Sequence, residues 1–126
     1  MTGDLFEYAI VRIVPLVERE EFVNAGVILF CKPQKFLEMR IDVNESKLRS
    51  LRTTIDIEHI KEQLEAFDKI CKGTTDSGEI GSLPQAERFR WLTGSRSTII
   101  QFSKVHPGLC ENAGAKLNEL FETMVR

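Results

Sequence analysis

The first apolar run, residues 6–14, constrains the fold more than any other part of the chain. Apolar side chains occupy both alternating sets of its positions, namely Tyr8, Ile10 and Val14 in one set and Ala9, Val11 and Ile13 in the other. Because successive side chains of a strand point to opposite faces of a sheet, this run predicts a central strand covered on both sides. Pro15 follows and cannot donate a backbone hydrogen bond, so it ends the strand.

Two further runs predict a β-hairpin beside this strand. Residues 26–31 are apolar, and residues 32–35 form a tight connection. Residues 36–42 then alternate between apolar and charged side chains, which is typical of a half-exposed strand.

Helix signals follow in the middle of the chain. Asn44 and Asp56 are predicted N-caps of a short helix and of a longer helix whose apolar residues recur at helical spacing. Gly73 supplies the stop, because glycine readily adopts the left-handed conformation common after a helix. Residues 73–83 are predicted to be a flexible loop, and they lack the Gly-Lys-Ser/Thr ending of a phosphate-binding loop.

The last third of the chain continues this alternation of helices and strands. A helix is predicted over residues 84–92, a strand over residues 97–102 and a closing helix over residues 112–125. Residues 106–108, His-Pro-Gly, are interpreted as a turn. We therefore predict one α+β domain over residues 1–126, with a small mixed or antiparallel sheet of about four strands packed on helices.

Composition excludes several classes of function. No apolar stretch approaches the roughly 20 residues that a membrane helix needs, and the N-terminus lacks the pattern of a signal peptide. The expected compartment is the cytoplasm, without membrane association. A sequence pI of about 5.7 and the absence of a basic stripe argue against nucleic-acid binding.

Cysteine and histidine usage argues against a metal site and against a disulfide framework. The three cysteines are far apart in the sequence and odd in number, which fits a reducing compartment. With two histidines and no closely spaced cysteine pair, the chain lacks the ligand spacing of a zinc site. We expect neither a metal nor a cofactor.

The first candidate cluster brackets the connection after the first strand, and it consists of Arg12, Arg19, Glu21 and Asn24. Arg12 interrupts an apolar strand face, and an unpaired buried charge is costly, so we expect it to pair with Glu21 or a nearby carboxylate. Asn24 is expected to bridge to the backbone. The cluster is then either a structural network or a site that reads a ligand.

The second candidate cluster lies in a cationic segment of an otherwise acidic chain, and it contains Arg88, Trp91, Arg96, Ser97 and Thr98. Guanidinium forks and hydroxyl groups suit a phosphate or a carboxylate. However, Gly94 marks the C-terminal end of a helix, where the dipole disfavours an anion. Basic side chains there can instead complement that dipole, so both interpretations stay open.

His106 is a candidate general base, because histidine titrates near neutrality. Cys110 comes within reach of it if the intervening turn is tight. The sequence supplies no group that orients this pair, and it offers no recognisable catalytic constellation.

Two sequence blocks resemble a bacterial family of small proteins described only as domain of unknown function 3037. The first block is residues 8–15 followed by residues 18–27, and the second is residues 88–93 followed by residues 96–98 and 106–109. The family pattern has Ala-Pro where this chain has Gly94-Ser95, which implies a looser turn before Arg96. Genes of this family often lie beside a gene for a HipA-like kinase, so the resemblance implies a protein partner of that kind.

Two functions follow from these observations. The leading hypothesis is a non-catalytic accessory or protein-interaction domain that regulates a neighbouring HipA-like kinase. The alternative is a small enzyme or sensor that binds a phosphate-bearing ligand. Convergence of Arg12, Arg19, Arg96 and His106 in one cleft would favour the alternative.

Overall fold

The computed structural model describes residues 3–96 and 98–126, and within them five strands form one antiparallel sheet. The strands are β1 (Asp4–Ile13), β2 (Val23–Cys31), β3 (Phe36–Ile41), β4 (Ile100–Phe102) and β5 (His106–Cys110). The helices are α1 (Glu45–Leu51), α2 (Ile57–Lys72), α3 (Gly78–Gly81), α4 (Gln85–Leu92) and α5 (Ala113–Met124). The predicted α+β class, an antiparallel sheet packed on helices, is confirmed.

β1 is the central strand, as its sequence predicts. The order β3-β2-β1 continues at the other edge of β1 with β4 and β5, which both pair with it. Ala9, Val11 and Ile13 belong to a core that includes side chains of α1, α2 and α4. Phe6 and Ile10 belong to a second core, shared with α5. Both faces of β1 are therefore covered.

β4 and β5 behave as one interrupted strand along β1. Val11 is paired with Phe102 and Tyr8 with His106, so one extra residue bulges between the two strands. Ser103 closes the interruption, because its hydroxyl accepts the Ile10 N–H at 2.8 Å and its own N–H donates to the Ile10 carbonyl at 2.9 Å. The bulge therefore keeps the backbone groups of β1 satisfied.

The interpretation of residues 106–108 as a turn is wrong, because these residues begin β5. Ile10 directs its N–H and C=O toward this edge, and by alternation the other even-numbered residues of β1 do the same. Pro107 lies opposite the odd-numbered Glu7, so it needs no N–H toward β1. Proline is tolerated in an edge strand for this reason.

The predicted helix signals act as expected. The side chains of Asn44 and Asp56 accept backbone N–H groups at the starts of α1 and α2. Gly73 ends α2 with a φ of 68°, in the left-handed region. The segment predicted as a loop contains the four-residue helix α3.

Candidate functional site

Arg12 lies on the face of the sheet that α5 covers. Its neighbours Val11 and Ile13 point into the opposite core, so strand alternation directs the Arg12 side chain toward the α5 face. Arg12 is paired with Asn24 of β2 and with Gln101 of β4. A register shift between Val11 and Arg12 distorts the ladder at this point.

The predicted ion pair between Arg12 and Glu21 is wrong. Glu21 instead accepts from Arg19, with 2.6 Å between Nε and Oε1, and both side chains are well exposed. The connection makes a short 3-10 turn that ends at Glu20 with a left-handed φ of 57°. The chain then places the Phe22 ring against Arg12, with 4.2 Å between Cζ and the ring centroid.

Two buried polar atoms on paired residues lack hydrogen-bond partners within the described part of the chain, and these are Arg12 Nε and Asn24 Oδ1. The other side of the Asn24 amide is engaged, because Nδ2 donates to the Met124 carbonyl at the end of α5, at 3.1 Å. Buried polar groups are rarely left without a hydrogen-bond partner, because each unsatisfied group costs about 1–3 kcal/mol of stability. We call Arg12, Phe22 and Asn24 the Arg12 corner.

A cleft of about 260 Å³ adjoins the Arg12 corner, and it is lined by Phe22, Val23, Asn24, Lys47, Met124 and Val125. Phe22 is 45% exposed and Met124 is 38% exposed, although both are large apolar side chains. Within residues 3–96 and 98–126, no carboxylate lies within ion-pair distance of Lys47 or Arg12. The corner therefore combines exposed apolar surface with two unpaired cations.

Arg96 occupies a different environment, on the opposite face of the sheet. Its Cζ lies 5.0, 4.8 and 5.5 Å from the ring centroids of Phe67, Trp91 and Phe102, which we call the Arg96 cage. Its guanidinium donates to the carbonyls of Leu92, of Gly94 at 3.2 Å and of Trp91 at 3.0 Å. Burial lowers the pKa of Arg96, and its donors serve the C-terminal end of α4.

The remaining polar candidates of this segment also bond to the backbone. Arg88 donates to the Leu83 carbonyl at 2.5 Å and to the Cys71 carbonyl at 3.5 Å, which ties α2 to the start of α4. The Thr98 hydroxyl donates to the Ile100 carbonyl at 3.1 Å. Ser97 lies outside the described residues. The candidate arginines of this segment thus donate to backbone carbonyls, while the buried Nε of Arg88 has no acceptor in the described chain.

His106 is exposed on β5, where its ring lies 5.3 Å from the Tyr8 ring on the α5 face. Four residues of extended strand place Cys110 about 13 Å away along β5, so the two side chains do not meet. Arg12 and His106 lie on the α5 face, whereas Arg96 lies among Phe67 and Phe102 on the other. The candidates therefore do not converge in one cleft.

Two further observations concern the described part of the chain as a whole. It holds no group of three or more His, Cys, Asp or Glu side chains that is placed to bind a metal ion. None of its helices is long and apolar enough to cross a membrane.

The sequence interpretation missed Phe22, Lys47 and Met124 as site residues. A signal for Phe22 exists, because it is an aromatic residue directly after a run of four charged residues, 18–21. Lys47 and Met124 carry no comparable signal. They reach the Arg12 corner only because the starts of α1 and β2 and the end of α5 meet there.

Comparison with known proteins agrees with the two sequence blocks. No curated protein and no solved structure is significantly similar to the chain. A family model described as "Protein of unknown function (DUF3037)" matches residues 8–125. The matched region contains every residue of the Arg12 corner and of the Arg96 cage. The chain belongs to this DUF3037 family.

Proposed function

We propose that this protein is a non-catalytic interaction domain that binds a partner protein through the Arg12 corner. The observation that carries the proposal is the Arg12 guanidinium, which is half-buried over Phe22 and has no carboxylate or carbonyl partner in the described chain. A charge held in this way is costly unless a binding partner completes its interactions. The structure supports binding more directly than it supports a reaction.

The size and chemistry of the corner favour a protein partner over a small metabolite. Ligand pockets usually measure about 300–1,000 Å³, whereas the cleft here is about 260 Å³ and lies at the surface. Aromatic residues, methionine and arginine are enriched in protein interfaces relative to the rest of the surface. Arg12 in contact with an exposed Phe22, with Met124 lining the same cleft, matches that composition.

The family resemblance suggests the identity of the partner. Since genes of the family often lie beside a gene for a HipA-like kinase, we propose that such a kinase binds the Arg12 corner and is regulated by it. The phosphate-bearing ligand gains no support from the geometry, because Arg88 and Arg96 donate to backbone carbonyls.

Affinity capture from native cells tests this proposal. Tagged wild-type protein should retain the HipA-like kinase, and Phe22→Ala and Arg12→Gln should each lose it. Arg90→Gln is the matched control, because Arg90 is an exposed arginine of α4 on the opposite face. All three variants should keep the wild-type melting temperature to within a few degrees, about what surface changes produce.

Retention of the kinase by both corner variants, or its loss from Arg90→Gln alone, would refute the proposal. Millimolar inorganic phosphate distinguishes the alternative. A rise in the melting temperature of the wild type that Arg96→Ala removes would favour a ligand site in the α4 segment.

A further inference from the structure

We infer that the Arg12 corner recognises a carboxylate side chain that stands beside an apolar residue in a segment of the partner protein. This inference rests on the proposed function and specifies what the partner must present. Arg12 and Lys47 supply two cations, and neither has a carboxylate within ion-pair distance in the described chain. Phe22 contacts Arg12 and lines the cleft together with Lys47.

The charges around the corner favour a single carboxylate over a phosphate group. The connection that leads into Phe22 carries Glu18 and Glu20, both exposed, while Glu21 is neutralised by Arg19. These carboxylates oppose a dianion or a polyanion, which carries more charge to the same place. A carboxylate carries one charge, and its planar oxygens match a guanidinium fork.

The apolar part of the corner fits one side chain. The cleft of about 260 Å³ is bordered by Phe22, Val23, Met124 and Val125. Asn24 lines the same cleft and has an Oδ1 without a hydrogen-bond donor in the described structure. A partner segment can thus place an apolar side chain on Phe22 and a carboxylate on the half-buried Arg12 guanidinium.

A random peptide library displayed on phage provides the probe. Peptides are selected on immobilised wild-type protein and counter-selected on the Arg12→Gln/Phe22→Ala double variant. We expect an enriched pattern in which Asp or Glu lies next to an apolar residue. The dissociation constant of a selected peptide should rise about tenfold with Arg12→Gln or Phe22→Ala, as at interface centres, and stay unchanged with Arg90→Gln.

A double-mutant cycle isolates the ion pair. Replacing the peptide carboxylate by its amide should weaken binding to wild-type protein about tenfold but weaken binding to Arg12→Gln much less, because only Lys47 then faces the carboxylate. Arg12→Lys should recover part of the affinity, because it keeps the charge without the fork. Unchanged melting temperatures show that the variants are folded.

Several results would overturn the inference. These are no enrichment over the double variant, an enriched pattern without Asp or Glu, or equal losses for the amide peptide on wild type and Arg12→Gln. Stabilisation by inorganic phosphate that requires Arg12 would assign the corner to a phosphate. Self-association that Arg12→Gln abolishes would assign it to a second copy of the chain. If kinase capture still depends on Arg12 in those cases, the proposed function stands and only the carboxylate is wrong.

Discussion

The Arg12 corner and the Arg96 cage each contain an arginine, on opposite faces of one sheet, and the two guanidinium groups differ in their hydrogen bonds. Each arginine lies over aromatic rings, Arg12 over Phe22 and Arg96 over three rings. Arg96 also donates to three backbone carbonyls, whereas Arg12 has a buried Nε without an acceptor in the described chain. An aromatic neighbour therefore does not distinguish a structural arginine from one that we propose to bind a partner. The two differ in whether the guanidinium N–H groups donate to acceptors within the fold.

The difference has a cause in the secondary structure. The last turn of a helix leaves carbonyl groups without intrahelical partners, and Arg96 donates to two of those of α4, the carbonyls of Trp91 and Leu92. A central strand has no such surplus, because its carbonyls are engaged in ladders on both sides. Arg12 lies in the central strand β1, so the nearby backbone offers its guanidinium few acceptors.

The largest expected effect on stability comes from Arg96→Ala, which should lower the free energy of unfolding by about 2–4 kcal/mol. The substitution leaves the Leu92 carbonyl without its donor, takes one of two donors from the Trp91 carbonyl and removes a cation that lies over three rings. Urea denaturation measures the change, with Arg90→Ala as an exposed control expected near zero. A loss below about 1 kcal/mol for Arg96→Ala would show that the cage is not structural.

The parts of the fold that the sequence predicts well depend on neighbouring residues alone. Apolar residues in both sets of alternate positions mark β1 as covered on both faces, and the caps at Asn44 and Asp56 place the starts of α1 and α2. Each signal arises within a few residues of the element that it predicts. The α+β class follows from the order of these elements.

The wrong predictions concern features that depend on the three-dimensional path of the chain rather than on neighbouring residues. Pro107 is compatible with a strand only because it lies at an edge and faces Glu7 of β1. The partner of Arg12 depends on the path of the connection, which brings Phe22 rather than Glu21 to it. Likewise Met124 reaches the Arg12 corner through the packing of α5, at a separation of about a hundred residues from Asn24.

The next prediction tests whether the side of the sheet that holds Arg88 is closed to water. Cys71 is buried there, and burial raises the pKa of its thiol to about 12, against about 8.5 in an unfolded chain. Above pH 8.5, roughly, the unfolded state loses this proton and the folded state keeps it. The contribution of this thiol to the free energy of unfolding is therefore fully present below that pH. It is lost as pH rises, by up to about 1.4 kcal/mol per pH unit.

Unfolding measured at about pH 7.5 and about pH 9.5 checks this expectation against Cys71→Ala. The wild type should lose about 1 kcal/mol more than the variant over this interval, because only the wild type has the buried thiol. Comparing the two pH values within each protein removes the cost of the packing change itself. Equal losses in both proteins would mean that water reaches Cys71 and that this side is as open as the Arg12 corner.

The smallest expected effect is that of Arg12→Ala, which should change the free energy of unfolding by less than about 1 kcal/mol. A buried pair with Glu21 would have made the same substitution cost about 3–5 kcal/mol, because a carboxylate would remain unpaired. Here Glu21 keeps Arg19, so no acceptor is orphaned. The lost contact with the half-exposed Phe22 is offset by removal of the buried, unpartnered Nε.

Urea denaturation of Arg12→Ala and Arg96→Ala in parallel measures the two changes in the free energy of unfolding. A loss for Arg12→Ala near that of Arg96→Ala would reveal an internal partner for Arg12. A near-zero change together with loss of the bound partner assigns the Arg12 guanidinium to binding, because a substitution that leaves the fold intact can weaken the complex only at the contact it removes.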